Sequence, residues 1–455
     1  MASTGEPAPT AGAPRTAGAT AGACAGVPTA AASAAVPLLP DYRGGCIANV
    51  VGALRCAHDD APSWLPPGVA GAQQVVLLVL DGLGWEQLRE RPLLAPCLSS
   101  MAGGPITSVV PTTTATALTS ITTGLAPAAH EVVGYRVRVQ IDAQGAPGGT
   151  ARAVGADEGL RVEATPGNSR GAATAATEQG MSPVVGNGAE RGAGPAPGEV
   201  LNVLRWRTGS GDARQRVLPT EFQRQPVFRG DRPPVVTRSE FASSGFTLAH
   251  LPAVRLHGWS MASSVPVTVA ELLGAGEPFV YAYYDGLDKI AHGRGFGPYY
   301  DAELRAADRL VADVAGALPS GAVLLVTADH GQVFVGDSIV ALPPDVMART
   351  AMVSGEGRFR WLHARRGQLD RLLGDATAAF GHLAWVRTVD DLDAQGWFGG
   401  PLTVAGRSRL GDVALIAHQP VAFADPVDTG ERSLRCRHGS VTSAEMLVPL
   451  VATRA

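Results

Sequence analysis

Three stretches of the chain carry an uninterrupted apolar run that ends in an aspartate followed by glycine or a short polar turn. They are "VVLLVLDGLG" (75–84), "PFVYAYYDGLDKIAH" (278–292) and "AVLLVTADHGQ" (322–332). Apolar runs without alternation suit strands buried on both faces of a parallel sheet. Between and after them the spacing turns helical, as in "YYDAELRAADRLVADVAGAL" (299–318). The pattern predicts an α/β fold. In such sheets the ligand site lies beyond the carboxyl ends of the strands, where Asp81, Asp288 and Asp329 emerge. Structured signals return at "EVLNVLRW" (199–206), and mixed short apolar runs over 235–259 predict a cap above the site. From 341 to 409 only a helix near 367–380 is legible.

Two segments break the pattern. Residues 1–37 are rich in Ala, Gly, Thr and Pro, and residues 142–198 hold almost no large apolar side chains. Neither can bury enough surface to order itself, so a disordered tail and a disordered insertion are expected around one catalytic domain, 38–455. At 455 residues and 45% hydrophobic content the remainder can bury a large core. The tail's longest apolar run is too short for the core of a signal peptide. Nowhere do ~18 consecutive apolar residues occur, so no membrane span is expected.

Charge and cysteine narrow the function classes. A net charge of −4 gives no basic footprint for a polyanion, which excludes a nucleic-acid scaffold. Lys289 is the single lysine among 37 basic residues, and it stands in no phosphate-binding P-loop. Cys24, Cys46, Cys56, Cys97 and Cys436 are odd in number and scattered without CxxC spacing. Reduced thiols and a cytoplasmic setting are expected.

Candidate chemistry gathers at the strand ends. Asp288 and His292 stand four apart, so both face one side of a helical turn, as a grip on a divalent metal needs. Asp329 and His330 are adjacent before a glycine, which suits a sharp bend. His438 lies in "RCRHGS", and "PTTTATALTSITTG" (111–124) packs eight hydroxyls into fourteen positions. Singly, each has a plain structural reading: a helix cap for Asp81 or a threonine, a hydrogen-bonded core residue for a histidine. Three independent strand ends with metal-type ligands, beside a hydroxyl cluster at a helix start, favour a functional reading together. "GNSRG" (167–171) satisfies GxSxG, but no strand precedes it, so it supplies no nucleophile elbow.

These motifs, in this order, resemble the alkaline phosphatase superfamily, and within it the nucleotide pyrophosphatase/phosphodiesterase-like branch. The similarity runs through "LVLDGLG", "PTTTATALTSITTGLAPAAHEVVGY", "DGLDKIAHGRG", "TADHG" and "RHGS" and spans most of residues 70–450. It implies a three-layer α/β/α sandwich with a mostly parallel central sheet and cap insertions. It implies two divalent metal ions, zinc first and manganese second, one held by Asp81, Thr114, Asp329 and His330, the other by Asp288, His292 and His438. Thr114 falls on the nucleophile position, and the implied reaction passes through a phospho-threonine on a nucleotide or other small phosphodiester. Relatives carry an asparagine where this chain has Tyr135; the tyrosine, or Asn202, is the candidate to replace it. The alternatives are a phosphomonoesterase or metal-dependent phosphomutase of the same superfamily, or a non-catalytic binding protein. A sulfatase is disfavoured because the CxPxR-type stretch is absent. Trp206, Trp259 and Tyr299 are candidate pocket aromatics.

Overall fold

The computed structural model of the chain describes residues 36–54, 60–141 and 198–455. The expected disorder of the tail falls almost wholly outside these residues, as does that of the insertion. Within 37–455 the apolar runs form strands as their composition requires. They are β1 (Val75–Leu80), β2 (Ala102–Thr107), β3 (Pro234–Arg238), β4 (Arg255–Trp259), β5 (Phe279–Tyr284), β6 (Val323–Thr327) and β7 (Leu447–Arg454). Among the described residues these make one seven-stranded sheet in the order β2-β7-β6-β1-β5-β3-β4. The pairs β6–β1, β1–β5, β5–β3 and β3–β4 are parallel, whereas β7 runs antiparallel to both its neighbours.

Every residue of β1 and β6 is buried, so both sheet faces are covered, as in an α/β/α sandwich. The register decides where the chain emerges. Val75 pairs with both Val323 and Phe279, and Leu80 pairs with Tyr284, so β1, β5 and β6 end at one edge. Residues that follow these strands are thereby delivered to one place.

Three helices matter for the site: α1 (Thr114–Thr123), α2 (Gly286–Arg294) and α3 (Pro298–Gly316). All ten residues of α1 are buried, which explains how so polar a helix survives in the core. Three of its six hydroxyls turn back on the helix: Thr119 donates to the Ala115 carbonyl at 2.7 Å, Thr122 to Leu118 at 3.0 Å and Thr123 to Thr119 at 2.6 Å. Gly124, with φ 70°, ends the helix in the left-handed region that glycine tolerates.

Residues 235–259 do not form a cap alone, because their two ends are the sheet strands β3 and β4. Their connection, with Phe241, Phe246 and His250, is what overhangs the site. The stretch 341–409 holds the expected helix at Leu369–Phe380 but also three strands of a four-stranded antiparallel sheet that the sequence pattern hid. The strands of this sheet are Thr350–Glu356, Phe359–Ala364, Val413–Ala417 and Ala384–Thr388. A buried arginine and a histidine interrupt their hydrophobic pattern, Arg360 fully buried and His363 nearly so, and Arg358 in the turn between the first two strands is fully buried too.

A smaller antiparallel pair, Arg136–Val139 with Glu199–Asn202, spans the insertion, with Val139 opposite Glu199. The two ends of the insertion are therefore held side by side. Replacing residues 142–197 with a short Gly/Ser turn should leave the melting temperature unchanged or slightly raised, since shorter loops cost less closure entropy. A fall of more than ~10 °C in thermal unfolding would show that the segment supports the fold, being several times what ~1 kcal/mol causes.

Burial lowers His130 to about 3 and both His250 and His363 to about 4, from the usual 6.5. Each stays neutral in the folded chain while the unfolded chain takes up a proton near 6.5. Their contribution is complete above that pH and is lost as pH falls toward 4. Urea unfolding should give a lower stability at pH 5 than at pH 7.5, and His363→Gln should flatten the slope. Equal stability at the two values would contradict this.

Candidate active site

The edge where β1, β5 and β6 end assembles the predicted residues. Asp81 follows β1 directly, Asp329 and His330 follow β6, Asp288 and His292 ride on α2, and Thr114 opens α1. Asp288 Oδ1 lies 3.2 Å from His292 Nε2, the contact that spacing of four on a helix predicts. His438 comes from far along the chain. The two-residue strand Cys436–Arg437 pairs with Val333–Phe334, just beyond the Asp329-His330 turn, and this sets His438 against His330 with rings stacked 3.6 Å apart. Gly331 serves close packing rather than a bend: a Cβ there would stand 2.1 Å from the Ala444 carbonyl oxygen and 2.8 Å from Gly84 Cα.

Two donor groups result. Asp81, Asp329 and His330 each bring one ligand atom to within 4.8 Å of the others. His330 Nε2 is 3.3 Å from Asp329 Oδ2 and 3.6 Å from Asp81 Oδ1. In the second group His292 Nε2 is 3.3 Å from His438 Nε2, and Asp288 Oδ1 lies 3.2 and 3.8 Å from them. The groups adjoin through His330, which also comes within 4.8 Å of Asp288 and His438.

The donor set fits divalent cations on three observations. Asp81 Oδ1 and Asp329 Oδ2 are buried with no hydrogen-bond partner. The three imidazoles each direct Nδ1 at a backbone carbonyl: His292 to Cys436 at 2.7 Å, His438 to Thr112 at 2.8 Å and His330 to Gly331 at 3.1 Å. Nδ1–H donates in each case, so every Nε2 presents a lone pair inward, the arrangement metal-binding histidines adopt. Electrostatics agree. Burial, then the charges of Asp329 and Asp288, holds the Asp81 carboxyl well above its usual range. Burial, then His330 and His292, holds His438 well below 6.5, as a neutral ligand requires.

Residues that sequence reasoning missed hold these ligands. Tyr283 donates its hydroxyl to Asp81 Oδ2, Gln332 Nε2 donates to Asp288 Oδ1 at 2.9 Å, and the Gly82 and His330 N–H groups donate to Asp329 Oδ1 at 3.1 and 3.0 Å. The polar hydroxyls inside "FVYAYY" were the one signal that could have pointed to Tyr283. The Thr112 and His438 loops are laced together, with Gly439 N–H donating to Thr112 Oγ1 at 3.0 Å and Thr112 Oγ1 donating to the Ser440 carbonyl at 2.7 Å. Behind them the fully buried Arg358 grips Glu445 through two bonds of 2.7 and 2.8 Å, and Glu445 Oε1 accepts the Ser440 N–H at 2.9 Å.

Thr114 Oγ1 stands 3.1 Å from His330 Nε2. Two cavities meet at this threonine and share Leu204, Asp288 and Lys289. One, of about 210 Å³, is walled by Leu118, Phe241, Phe246 and Tyr283. The other, of about 390 Å³, is polar, with Tyr135, Asn202, Arg205, Glu356 and Arg437. The expected pocket aromatics are displaced from both: Trp206 and Trp259 are buried in the core, and Tyr299 is exposed on α3. Phe241, Phe246 and Tyr283 take that place.

The profile of the family described as type I phosphodiesterase / nucleotide pyrophosphatase matches residues 75–169. No curated protein matches the chain. Among solved structures, murine ectonucleotide pyrophosphatase/phosphodiesterase 5, in an inactive threonine-to-alanine variant complexed with AMP, superposes with a TM-score of 0.54 at 13% identity over 83% of this chain and 87% of that one. The human counterpart gives 0.50 at 13% identity over 84% and 87%. The chain thus shares the α/β fold of these phosphodiesterase structures and carries donor clusters that can hold metal. Over residues 75–169 the chain is similar to the type I phosphodiesterase / nucleotide pyrophosphatase family.

Arg358→Met should lower stability by ~3–5 kcal/mol, because it leaves Glu445 charged and unpaired in the interior. Urea unfolding measures the loss, and bound metal should fall with it as the Ser440 loop loosens. A variant as stable as the parent would show that the pair does not brace the site.

Proposed function

We propose that the protein is a two-metal phosphodiesterase with Thr114 as nucleophile, acting on nucleotides or other small phosphodiesters. The observation that carries this reading is the position of Thr114 Oγ1, 3.1 Å from His330 Nε2 and at the meeting point of the two cavities. A diester offers a substituent to each cavity, one apolar and one polar, whereas a monoester would leave one of them unused. The murine neighbour supports both halves of the proposal, since its threonine-to-alanine variant is described as inactive and binds AMP.

Asp81, Asp329 and His330, with Thr114, would hold one cation, and Asp288, His292 and His438 the other. Their nitrogen and oxygen donors suit zinc first and manganese second. When bound, the cations supply positive charge that makes the threonine hydroxyl acidic enough to attack and that neutralises the departing oxygen. The chain's own residues do the rest. Thr114 Oγ1 forms a bond to phosphorus as the opposite P–O bond to the leaving alcohol breaks. The first N–H groups of α1 face the phosphoryl oxygens with the positive end of the helix dipole. Water then cleaves the phospho-threonine and restores the hydroxyl.

A mutant panel tests the assignment. Thr114→Ala should keep the fold and most bound metal yet lose several orders of magnitude in turnover. Thr116→Ala should be mild, since Thr116 Oγ1 is buried without a partner, and Thr113→Ala likewise, since its side chain caps nothing. Asp288→Ala and His438→Ala should lower metal occupancy and slow substrates with poor leaving groups most. Acid-quenched enzyme should carry phosphate on Thr114 by mass spectrometry, and EDTA should abolish activity until metal is restored. Near-normal turnover in Thr114→Ala, phosphate on another residue, or full activity in demonstrably metal-free protein would refute the proposal.

A further inference from the structure

Glu356 ends the first strand of the accessory sheet, yet it reaches the wall of the polar cavity beside Thr113, Thr114, His292 and His438. Only 9% of its side chain is exposed, and that surface faces the cavity. Gly439, next to His438, makes the room: a Cβ there would stand 2.7 Å from the Glu356 carboxyl carbon. The carboxyl belongs to neither of the two donor groups that can hold metal.

Its surroundings leave it without a paired cation. Among the described residues the one basic group close to it is His438 Nδ1 at 3.7 Å, whose N–H is already given to the Thr112 carbonyl. The arginines of the same wall and hairpin are committed elsewhere: Arg437 to the Glu431 backbone oxygen, Arg358 to Glu445, and Arg360 to Glu431 and the Phe423 carbonyl. A hydrogen bond with the Thr113 hydroxyl engages only part of the carboxyl. A carboxyl buried this deeply needs a further donor, and the cavity is the direction from which one can come. An ammonium donor is opposed by Lys289, Arg205 and Arg437, which line the same cavity, and by the cations of a loaded centre. A neutral hydroxyl meets no such opposition.

Asp288, His292 and His438 line the polar cavity, so an alcohol that departs over them lodges there, while the apolar cavity keeps the retained group. Glu356 adjoins both Thr113 and His438, which sets it close to the departing oxygen. We infer that Glu356 accepts a hydrogen bond from a hydroxyl of the leaving alcohol, next to its ester oxygen, and so selects diesters of a vicinal diol such as a glycerol or sugar unit. This rests on the reading of Thr114 as nucleophile, with the second cation facing the departing oxygen, and names the substrate class which that reading leaves open. A site that bonds a hydroxyl also rejects the analogue lacking one, because the buried carboxyl is then left unpaired. Glu356 is thus a specificity-determining residue.

The test uses the metal-loaded full chain and two esters of one nucleoside monophosphate, hydroxyethyl and methoxyethyl. The two alcohols withdraw electrons alike and each can chelate a cation, but only the first donates a hydrogen bond. The parent should show a kcat/KM at least ~10-fold higher for the hydroxyethyl ester, the worth of one hydrogen bond to a carboxylate. Glu356→Leu should bring that ratio near unity, and Glu356→Gln, whose amide oxygen still accepts, should keep part of it, with metal content and melting temperature followed alongside. Equal values in the parent would overturn the inference. So would a ratio that Glu356→Leu leaves intact, since a merely structural glutamate slows both esters alike. Glu356→Ala takes the place of Glu356→Leu if the latter lacks a thermal transition. An unselective parent beside an inactive Thr114→Ala overturns this inference and leaves the nucleophile standing, whereas an active Thr114→Ala overturns both.

Discussion

Carboxylate oxygens brought together out of water repel one another and lose their hydration, and Asp81, Asp288 and Asp329 do both where the central strands end. Such a cluster is tolerated only if something balances it. Tyr283, Gln332 and the Gly82 and His330 N–H groups each occupy one carboxylate oxygen, leaving Asp81 Oδ1 and Asp329 Oδ2 bare. The three histidines are pinned through Nδ1 so that their lone pairs face the same volume. Bare carboxylate oxygens and imidazole lone pairs in one buried space share a single efficient remedy, a cation.

The rest of the molecule serves that arrangement from a distance. Parallel register along β1, β5 and β6 delivers the aspartates to one edge. The accessory antiparallel sheet reaches in with Arg358, whose grip on Glu445 steadies the loop behind His438. The hairpin Arg136–Val139 with Glu199–Asn202 reaches in from another direction and holds Tyr135 and Asn202 at the cavity wall. Segments that look peripheral along the chain are in this way supports of the centre.

The threonine-rich helix shows how position separates like residues. Three of its hydroxyls satisfy themselves on the carbonyl four residues back, which helps make a polar helix acceptable in the core. Thr114 has no preceding helical turn to bond to, so its hydroxyl is left to face His330. Thr114 is thereby set apart from Thr119, Thr122 and Thr123, whose hydroxyls the helix carbonyls already engage.

Much of this was legible along the chain. Unbroken apolar runs ending in aspartate announce buried parallel strands, and a spacing of four puts Asp288 and His292 on one face of α2, because both signals are local and periodic. Other features left no such trace. The accessory sheet was hidden because Arg358 in its hairpin turn and Arg360 and His363 in its strands are buried only by virtue of partners elsewhere in the fold. Phe241 and Phe246 could not be told from core aromatics, nor Trp206 and Trp259 from pocket ones, since a ring's apolar character is the same in both places. The two-residue strand that carries His438 to His330 is too short for any period to show. Periodicity and ligand spacing thus settled the fold class and named the candidate ligands, while their convergence, the tautomers and the pairing of Tyr135 with Asn202 arose from long-range contacts. Those depend on which distant segments share a wall, and that is decided only when the chain has closed.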